Sequence, residues 1–489
     1  MNRSSEGQMR SLAIPTEPTA LQLESNPTTS AIRNDNGLSS ESYNQSKGLS
    51  FSRQTLLMSV SVGLLTASLT LAKTGRDAVF FHDQGLLQLP MAYMAIGMAS
   101  LPAAFLFVNA MKRWGARSAR LGLILLAALL MAGFVPFLNR TIHAVLIANF
   151  VFVPTIFGLL FASTWLLVSE LFEHAASAVA ARSFSRIGAS SLAGGMVGGF
   201  VSKALAPRLD PQWMLILASS ILLVVLGLIV KVHREFPPSA PAIVRQPQAK
   251  VNALSVFSNR YFRILALLSM FGGLAGLFIE FQFYTAASSL GNDLRGNAKF
   301  FANFYTLVYF SALGIELFLT PRIQAKFGLA GGLVFLPMAL LGGSAFAVAA
   351  ATTLSRSVLK VTEGSIKASI HRPLWEQAFI RLKSSERSIA KMLVDGIAPR
   401  IAEGVGAMTL LWWVMRLETQ AGKIDFANVF RETQWMIWVI LLSVVGWLLL
   451  IRKLHHEMKH LGALPGEEID CVRFPEQCPT TTELGKGIV

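Results

Sequence analysis

Runs of about twenty mainly apolar residues recur along this chain, and that is the length a helix needs to cross a hydrocarbon core roughly 30 Å thick. Nine runs stand out, at 54–72, 86–110, 119–138, 143–169, 213–232, 262–284, 299–320, 329–350 and 434–451. The bilayer core offers no water to backbone groups, so segments like these are helical, each satisfying its own N–H and C=O groups. Three weaker windows fill the gaps: a glycine-rich one at 184–206, the opening of 352–374, and 392–416, which starts polar and ends in TLLWWVM. Together they predict about twelve transmembrane helices. Hydrophobic residues fill 53% of the 489 positions and charged ones 15%, too little polar surface to wrap a single soluble core. The fold class expected is an all-α membrane protein.

Lys and Arg in short loops stay cytoplasmic, whereas Asp and Glu carry little topological weight. With both termini cytoplasmic, the cytoplasmic segments hold 28 Lys and Arg and the opposite face 11. An even number of spans in a bacterial inner membrane is therefore expected. The net charge of +15 reads as a basic surface against anionic lipid. No basic module interleaved with aromatics is present, so nucleic acid is not an expected partner. Residues 1–52 are polar, lack a hydrophobic leader core, and read as a disordered cytoplasmic tail. Residues 453–489 form a second tail, where Cys471 and Cys478 read as free thiols in a reducing compartment. No metal or other cofactor is implied, and the expected assembly is a monomer.

A proline-rich polar connection at 233–261 falls near the middle of the chain and reads as a linker between two six-helix halves, 53–232 and 262–452. RSFSRIGASSLAGGMVGG and AKMLVDGIAPRIAEGVGA superpose with Gly188 on Gly396 and Gly198 on Gly406, so each opens the fifth span of its half. Two parallel repeats joined by a cytoplasmic linker are the organisation of the major facilitator fold, in which the solute sits between the halves. Gly194, Gly195, Gly198 and Gly199 form two overlapping GxxxG patterns that let helices approach closely, either as packing alone or as a moving contact between halves.

The tenth window carries charge where a span should be apolar. Arg356, Lys360, Glu363, Lys367 and His371 are spaced 4, 3, 4 and 4, which puts them within roughly 80° on one helix face. A charge at the bilayer centre costs about 2.5–3.5 kcal/mol, so this face must look at protein or water. It is net positive, which suits an anionic solute. The first span ends in LAKTGRDAVFF, where Lys73, Arg76 and Asp77 read either as cations at a cavity mouth or as interfacial snorkelling with a local Lys73–Asp77 pair. Glu280 lies inside an apolar span and is a functional candidate by default. In the eleventh span Asp395, Arg400 and Glu403 surround Pro399, which is expected to kink the helix; an Asp395–Arg400 pair and a contact with solute are both open. Lys73, Arg76, Asp77, Lys360, Glu363, Lys367, His371 and Arg400 are the expected solute-binding residues, and Glu280, Asp395 and Glu403 the expected coupling or gating ones.

The segments KTGRDAVFF, IEFQFYTAASSL, EGSIKASIHRPLWEQ and AKMLVDGIAPRIAEGVGA resemble the ATP/ADP translocase-like nucleotide transporters of plastids and intracellular bacteria, with their wider relatives in the major facilitator superfamily. The resemblance covers most of the membrane region, and the last two segments are its most specific. It implies twelve helices, cytoplasmic termini and, in the best-known members, exchange of adenine nucleotides along a positively lined path. Asp77, Glu170, Arg182, Lys367, Glu376, Asp395 and Arg400 stand where the family pattern is similar. Arg76 replaces a lysine, Arg372 an acid, Trp375 a lysine, and Glu403 reverses a lysine's charge, which marks a diverged branch.

The expected function is secondary transport, by alternating access and exchange, of an anionic solute: ATP, ADP or another phosphorylated metabolite. No GxxxxGK[ST] loop is present, so ATP would be cargo and not fuel. A proton-coupled porter for a different organic solute is one alternative, with Glu280 and His371 titrating. A receptor or scaffold that does not transport is another. No nucleophile elbow or HExxH motif points to an enzyme.

Overall fold

The computed structural model describes residues 32–83, 85–138, 142–172, 177–236, 259–288, 293–379, 382, 390–421 and 432–460. Most of the connection 233–261, most of the tail 453–489, and both cysteines lie outside them. The chain divides into two units, Met1–Ser52 and Arg53–Val489. In the first, residues 32–52 are helical, where the sequence reads as a disordered tail. The second unit holds the membrane region.

The helices are α1 (Ile32–Asp83), α2 (Leu89–Trp114), α3 (Ala116–Leu138), α4 (His143–Leu171), α5 (Ser177–Leu205), α6 (Trp213–Glu235), α7 (Arg260–Ser288), α8 (Leu294–Phe318), α9 (Thr320–Leu333), α10 (Phe335–Ala349), α11 (Thr353–Ile366), α12 (Arg372–Ala378), α13 (Ala398–Ala421) and α14 (Trp435–His460). No strand occurs among the described residues. Among the described residues eight helices are long and apolar enough to cross a membrane, counting α1 from Phe51; α9 and α10, bent by 70°, pass the same test only as a pair. The bend follows Gly328, whose φ of 62° is a left-handed conformation that glycine takes without a Cβ clash. The three weak windows fall on helices that do not meet that length and composition test, α5, α11–α12 and α13.

Two of these three are built around π-helical turns, Lys367–His371 and Met392–Ile397. Each turn ends two residues before a proline, Pro373 and Pro399. A proline ring lacks the N–H and collides with the carbonyl four residues back; widening the preceding turn to i→i+5 relieves both problems. α11 starts cleanly, because Thr352 and Ser355 form a reciprocal capping box.

The helix ends sort into two faces. Arg53 meets Glu235 at 3.2 Å, Arg260 meets Glu457 at 2.8 Å, and the Tyr261 hydroxyl donates to the Ala378 carbonyl at 2.8 Å. We call this the near face; the opposite, far face holds the Arg295–Asp210 pair at 3.2 Å. Within the first six helices, buried Arg120 of α3 ties three elements together near the near face. Its Nε donates to the Ser163 carbonyl at 3.1 Å, one Nη lies 3.0 Å from His233 Nε2, and the other donates to Glu170 at 3.3 Å. Removing one member of a buried ion pair strands the other. Arg120→Met is expected to cost about 3 kcal/mol, measured as a lowered unfolding temperature in detergent.

α5 presents glycine on two sides. A Cβ at Gly194 would stand 2.0 Å from the Gly63 carbonyl oxygen of α1, and one at Gly198 would stand 2.6 Å from that of Ala67. On the other side, a Cβ at Gly195 would enter the Tyr309 ring at 2.5 Å, and one at Gly199 would reach Thr306 Oγ1 at 2.3 Å; both partners lie on α8. One GxxxG pattern therefore packs helices of the same half, and the other packs the two halves together. Gly194→Val is expected to lower the unfolding temperature, because backbone must move to admit it. Gly199→Val is expected to prop the two halves apart, raising labelling of a cysteine introduced at Ala298 near the far face while each half stays folded.

Candidate functional site

The far side of the interface between halves is packed with aromatic rings. Phe80 contacts Phe150 at 4.2 Å between centroids, Phe81 stacks on Tyr284 at 4.5 Å, and Phe283 stacks on Phe304 at 4.0 Å. Phe80, Phe81 and Phe150 come from the first six helices, and Tyr284, Phe283 and Phe304 from the later ones. Such pairs each add about 0.5–1.5 kcal/mol beyond the area they bury.

At the inner edge of this seal, Asp77 is fully buried. Arg76 Nε donates to its Oδ1 at 2.7 Å. Its Oδ2 accepts from the hydroxyls of Tyr284 at 3.0 Å and Tyr305 at 2.5 Å, on α7 and α8. An Arg76 Nη also donates to the Tyr284 hydroxyl at 3.3 Å, and the guanidinium lies 4.1 Å from the Phe150 ring centroid. Arg76 is 2% exposed: it sits in the seal and not at a cavity mouth. The local Lys73–Asp77 pair, one of the two readings of this cluster, does not form. Lys73 Nζ instead lies over the Tyr305 ring, 4.8 Å from its centroid.

One turn inward runs a strip of alternating charge. Lys360 Nζ is 2.9 Å from Glu363 and 3.6 Å from Glu280 of α7, and Lys367 Nζ is 3.0 Å from Glu363. Gly276 on α7 faces the Glu363–Lys367 pair. The sequence spacing does put Lys360, Glu363 and Lys367 on one face, but Arg356 lies apart from them. Fully buried towards the far face, it donates to Thr433 Oγ1 at 2.9 Å. Along the strip the Glu280 side chain is 29% exposed, Lys360 15% and Glu363 6%, and Lys367, at its near end, is 56% exposed. The strip is sealed at the far end and reached from the near side.

His371 ends the π turn, stacked on Trp375 at 5.6 Å and edge-on to Trp447 of α14 at 5.7 Å. Trp375 Nε1 donates to Asp395 Oδ1 at 2.7 Å, tying α12 to the second π turn. Arg400 pairs with Glu403 at 2.6 Å, and Asp395 with Trp375; of the two possibilities the sequence left open, the Asp395–Arg400 pair is not formed. Two open recesses lie elsewhere. One of about 300 Å³ between α8 and α11 and one of about 1030 Å³ between α2 and α4 are lined by apolar and uncharged side chains, including exposed Leu354 and Met98.

The sequence reading missed Tyr284, Tyr305 and Phe150. For Tyr284 a signal exists, since it follows Glu280 by four residues and so shares its helix face.

No protein-family profile matches the chain, and no curated protein matches it by sequence. Solved structures do match by shape. A point mutant of the nucleoside transporter NupG aligns with a TM-score of 0.60 at 13% identity, covering 81% of this chain and 99% of its own. The fold is that of the major facilitator transporters. A bacterial homologue of the iron transporter ferroportin in an inward-facing state aligns with a TM-score of 0.56 at 13% identity, covering 82% and 98%. A D-xylose-proton symporter aligns with 0.55 at 15% identity, covering 80% and 96%. At such identities the likeness carries the fold alone. It bears out an all-α bundle with major facilitator architecture and does not reach the translocase family that the sequence motifs resemble.

Proposed function

We propose that the chain is a secondary transporter that moves an anionic organic solute by alternating access. The observation that carries this reading is the sided polar interior: a charged strip contributed by α7 and α11, accessible from the near face and closed off from the far face by aromatic packing and by the hydrogen bonds on Asp77. A solute entering from the near side meets Lys367 first, then Lys360 and Lys73 deeper in. Arg76 and Asp77, together with Tyr284 and Tyr305, act as the far gate. His371, Trp375 and Asp395 shape the wall, and Arg400 with Glu403 lines α13.

The near face is taken as cytoplasmic because Lys and Arg concentrate in its segments, a reading in which both termini lie on the cytoplasmic side of a bacterial inner membrane. The motif resemblance puts nucleotides and phosphorylated metabolites forward as solutes. The neighbours in fold are transporters of nucleosides and of D-xylose by their descriptions, which widens the panel to uncharged rings. No reaction chemistry is assigned to the chain. The test is uptake into proteoliposomes: saturable flux, stimulated by the same solute on the other side, is expected, and Lys367→Ala is expected to reduce it about tenfold or more. Folded protein with no flux of any organic anion would instead fit a scaffold.

A second reading, coupling to protons, draws on Glu280. Its side chain is 29% exposed, lies 3.6 Å from Lys360 and is within electrostatic reach of Lys73, so adding a proton there would rearrange the strip. Uptake driven by a pH gradient with no counter-solute would favour it.

A further inference from the structure

We infer that the solute carries a single net negative charge, and that Lys73 is where that charge sits. This rests on the strip being the solute site, as proposed above. The charges around it can be followed individually. Arg76 is neutralised by Asp77, and Arg400 by Glu403. Lys360 lies between two carboxylates, Glu280 and Glu363, and Lys367 shares Glu363. That leaves Lys73, Lys360 and Lys367 against Glu280 and Glu363, an excess of one positive charge.

The excess has an address. Among the described residues Lys73 makes no ion pair within 4.0 Å, and its ammonium rests on the face of Tyr305. An ammonium so placed is only weakly compensated, because a ring face returns less than a carboxylate does. It is partly exposed and stands one helical turn from Asp77, within electrostatic reach of Glu280 and Lys360. One carboxylate or phosphodiester on Lys73 would complete the alternation: anion, Lys73, Glu280, Lys360, Glu363, Lys367. A polyanion would bring two or three further charges with no cation free to meet them, and uncompensated charge away from bulk water is costly. A neutral solute would leave Lys73 as it is. The anion would also touch the far gate directly, because Tyr305 both underlies Lys73 and donates to Asp77.

The experiment uses the purified full chain in lipid nanodiscs and two ladders of solutes at constant ionic strength. One runs adenosine, adenosine 3′,5′-cyclic monophosphate, AMP, ADP and ATP; the other runs butanol, butyrate, succinate and tricarballylate. Thermal stabilisation is titrated for each. The singly charged rung of at least one ladder is expected to act at a concentration about tenfold lower than its neutral and its more highly charged neighbours. Lys73→Gln is expected to abolish that response, and Lys73→Arg to keep it. Glu280→Gln, which adds one positive charge to the strip, is expected to move the optimum to the doubly charged rung. Stronger stabilisation by ADP, ATP or tricarballylate in the unmodified protein, or a Lys73→Gln variant that still responds to the monoanion, would overturn the inference while leaving anion transport standing. A folded protein that responds to no rung would overturn the anion site itself.

Discussion

Removing the hydroxyls of Tyr284 and Tyr305 together is expected to open the far face. In Tyr284→Phe/Tyr305→Phe the rings and their packing remain, but the Asp77 carboxylate loses both donors from the opposite half. A hydrogen bond to a charged group contributes about 1.5–3 kcal/mol, so losing two weakens the closed state by at least about 3 kcal/mol, or about 100-fold in population. The intact Arg76 keeps Asp77 paired, which avoids stranding a buried charge. Cysteine occurs only at 471 and 478, so a background lacking both is simple to build. Ala298→Cys, fully buried at the far end of α8, then reports access. Its labelling by an impermeant maleimide from the far side should rise about 100-fold in the double variant. Unchanged labelling with a lowered unfolding temperature would make the tyrosines packing elements and not a gate.

The second large effect is expected at Lys360. Lys360→Met leaves Glu280 and Glu363 facing each other across the strip with no cation between them, only Lys73 and Lys367 at its ends. Breaking a mostly buried ionic network by removing one partner costs about 3 kcal/mol or more, and flux of the stabilising solute in proteoliposomes should fall about 100-fold. Lys360→Met/Glu280→Gln restores the charge balance and should recover stability without recovering flux. Recovery of both would show that Lys360 only maintains the fold.

What the sequence made legible follows from where each signal is generated. Nine spans were readable because lipid-facing helices need apolar residues on most sides. α5, α11 and α13 were faint because only part of each helix surface is apolar: α5 spends two sides on glycine contacts, and the other two carry the charges. Helical periodicity grouped Lys360, Glu363 and Lys367, since that information is local. It also swept in Arg356, because spacing fixes a face but not the depth at which a residue leaves the cavity. The Glu280–Lys360 contact joins α7 to α11 and no spacing rule reaches it. Tyr284 and Tyr305 looked like ordinary aromatics of an apolar run until their hydroxyls were seen on Asp77. Arg76 and Asp77, adjacent in sequence and about 100° apart on a helix, pair because the arginine is long enough to fold back; only the structure showed that Arg76 is buried among the aromatic rings.

The central claim is that one folded chain alternates access to the charged strip. Two spin-label pairs test it most directly in nanodiscs: Trp114→Cys with Phe327→Cys on the near face, and Leu209→Cys with Lys299→Cys on the far face, all at exposed positions. Two distance populations are expected at each pair. The near pair should be mostly long and the far pair mostly short, and the two weights should reverse in Tyr284→Phe/Tyr305→Phe. A single distribution at both pairs, unmoved by that variant and by every solute of the two ladders, would contradict alternating access and leave a static membrane scaffold.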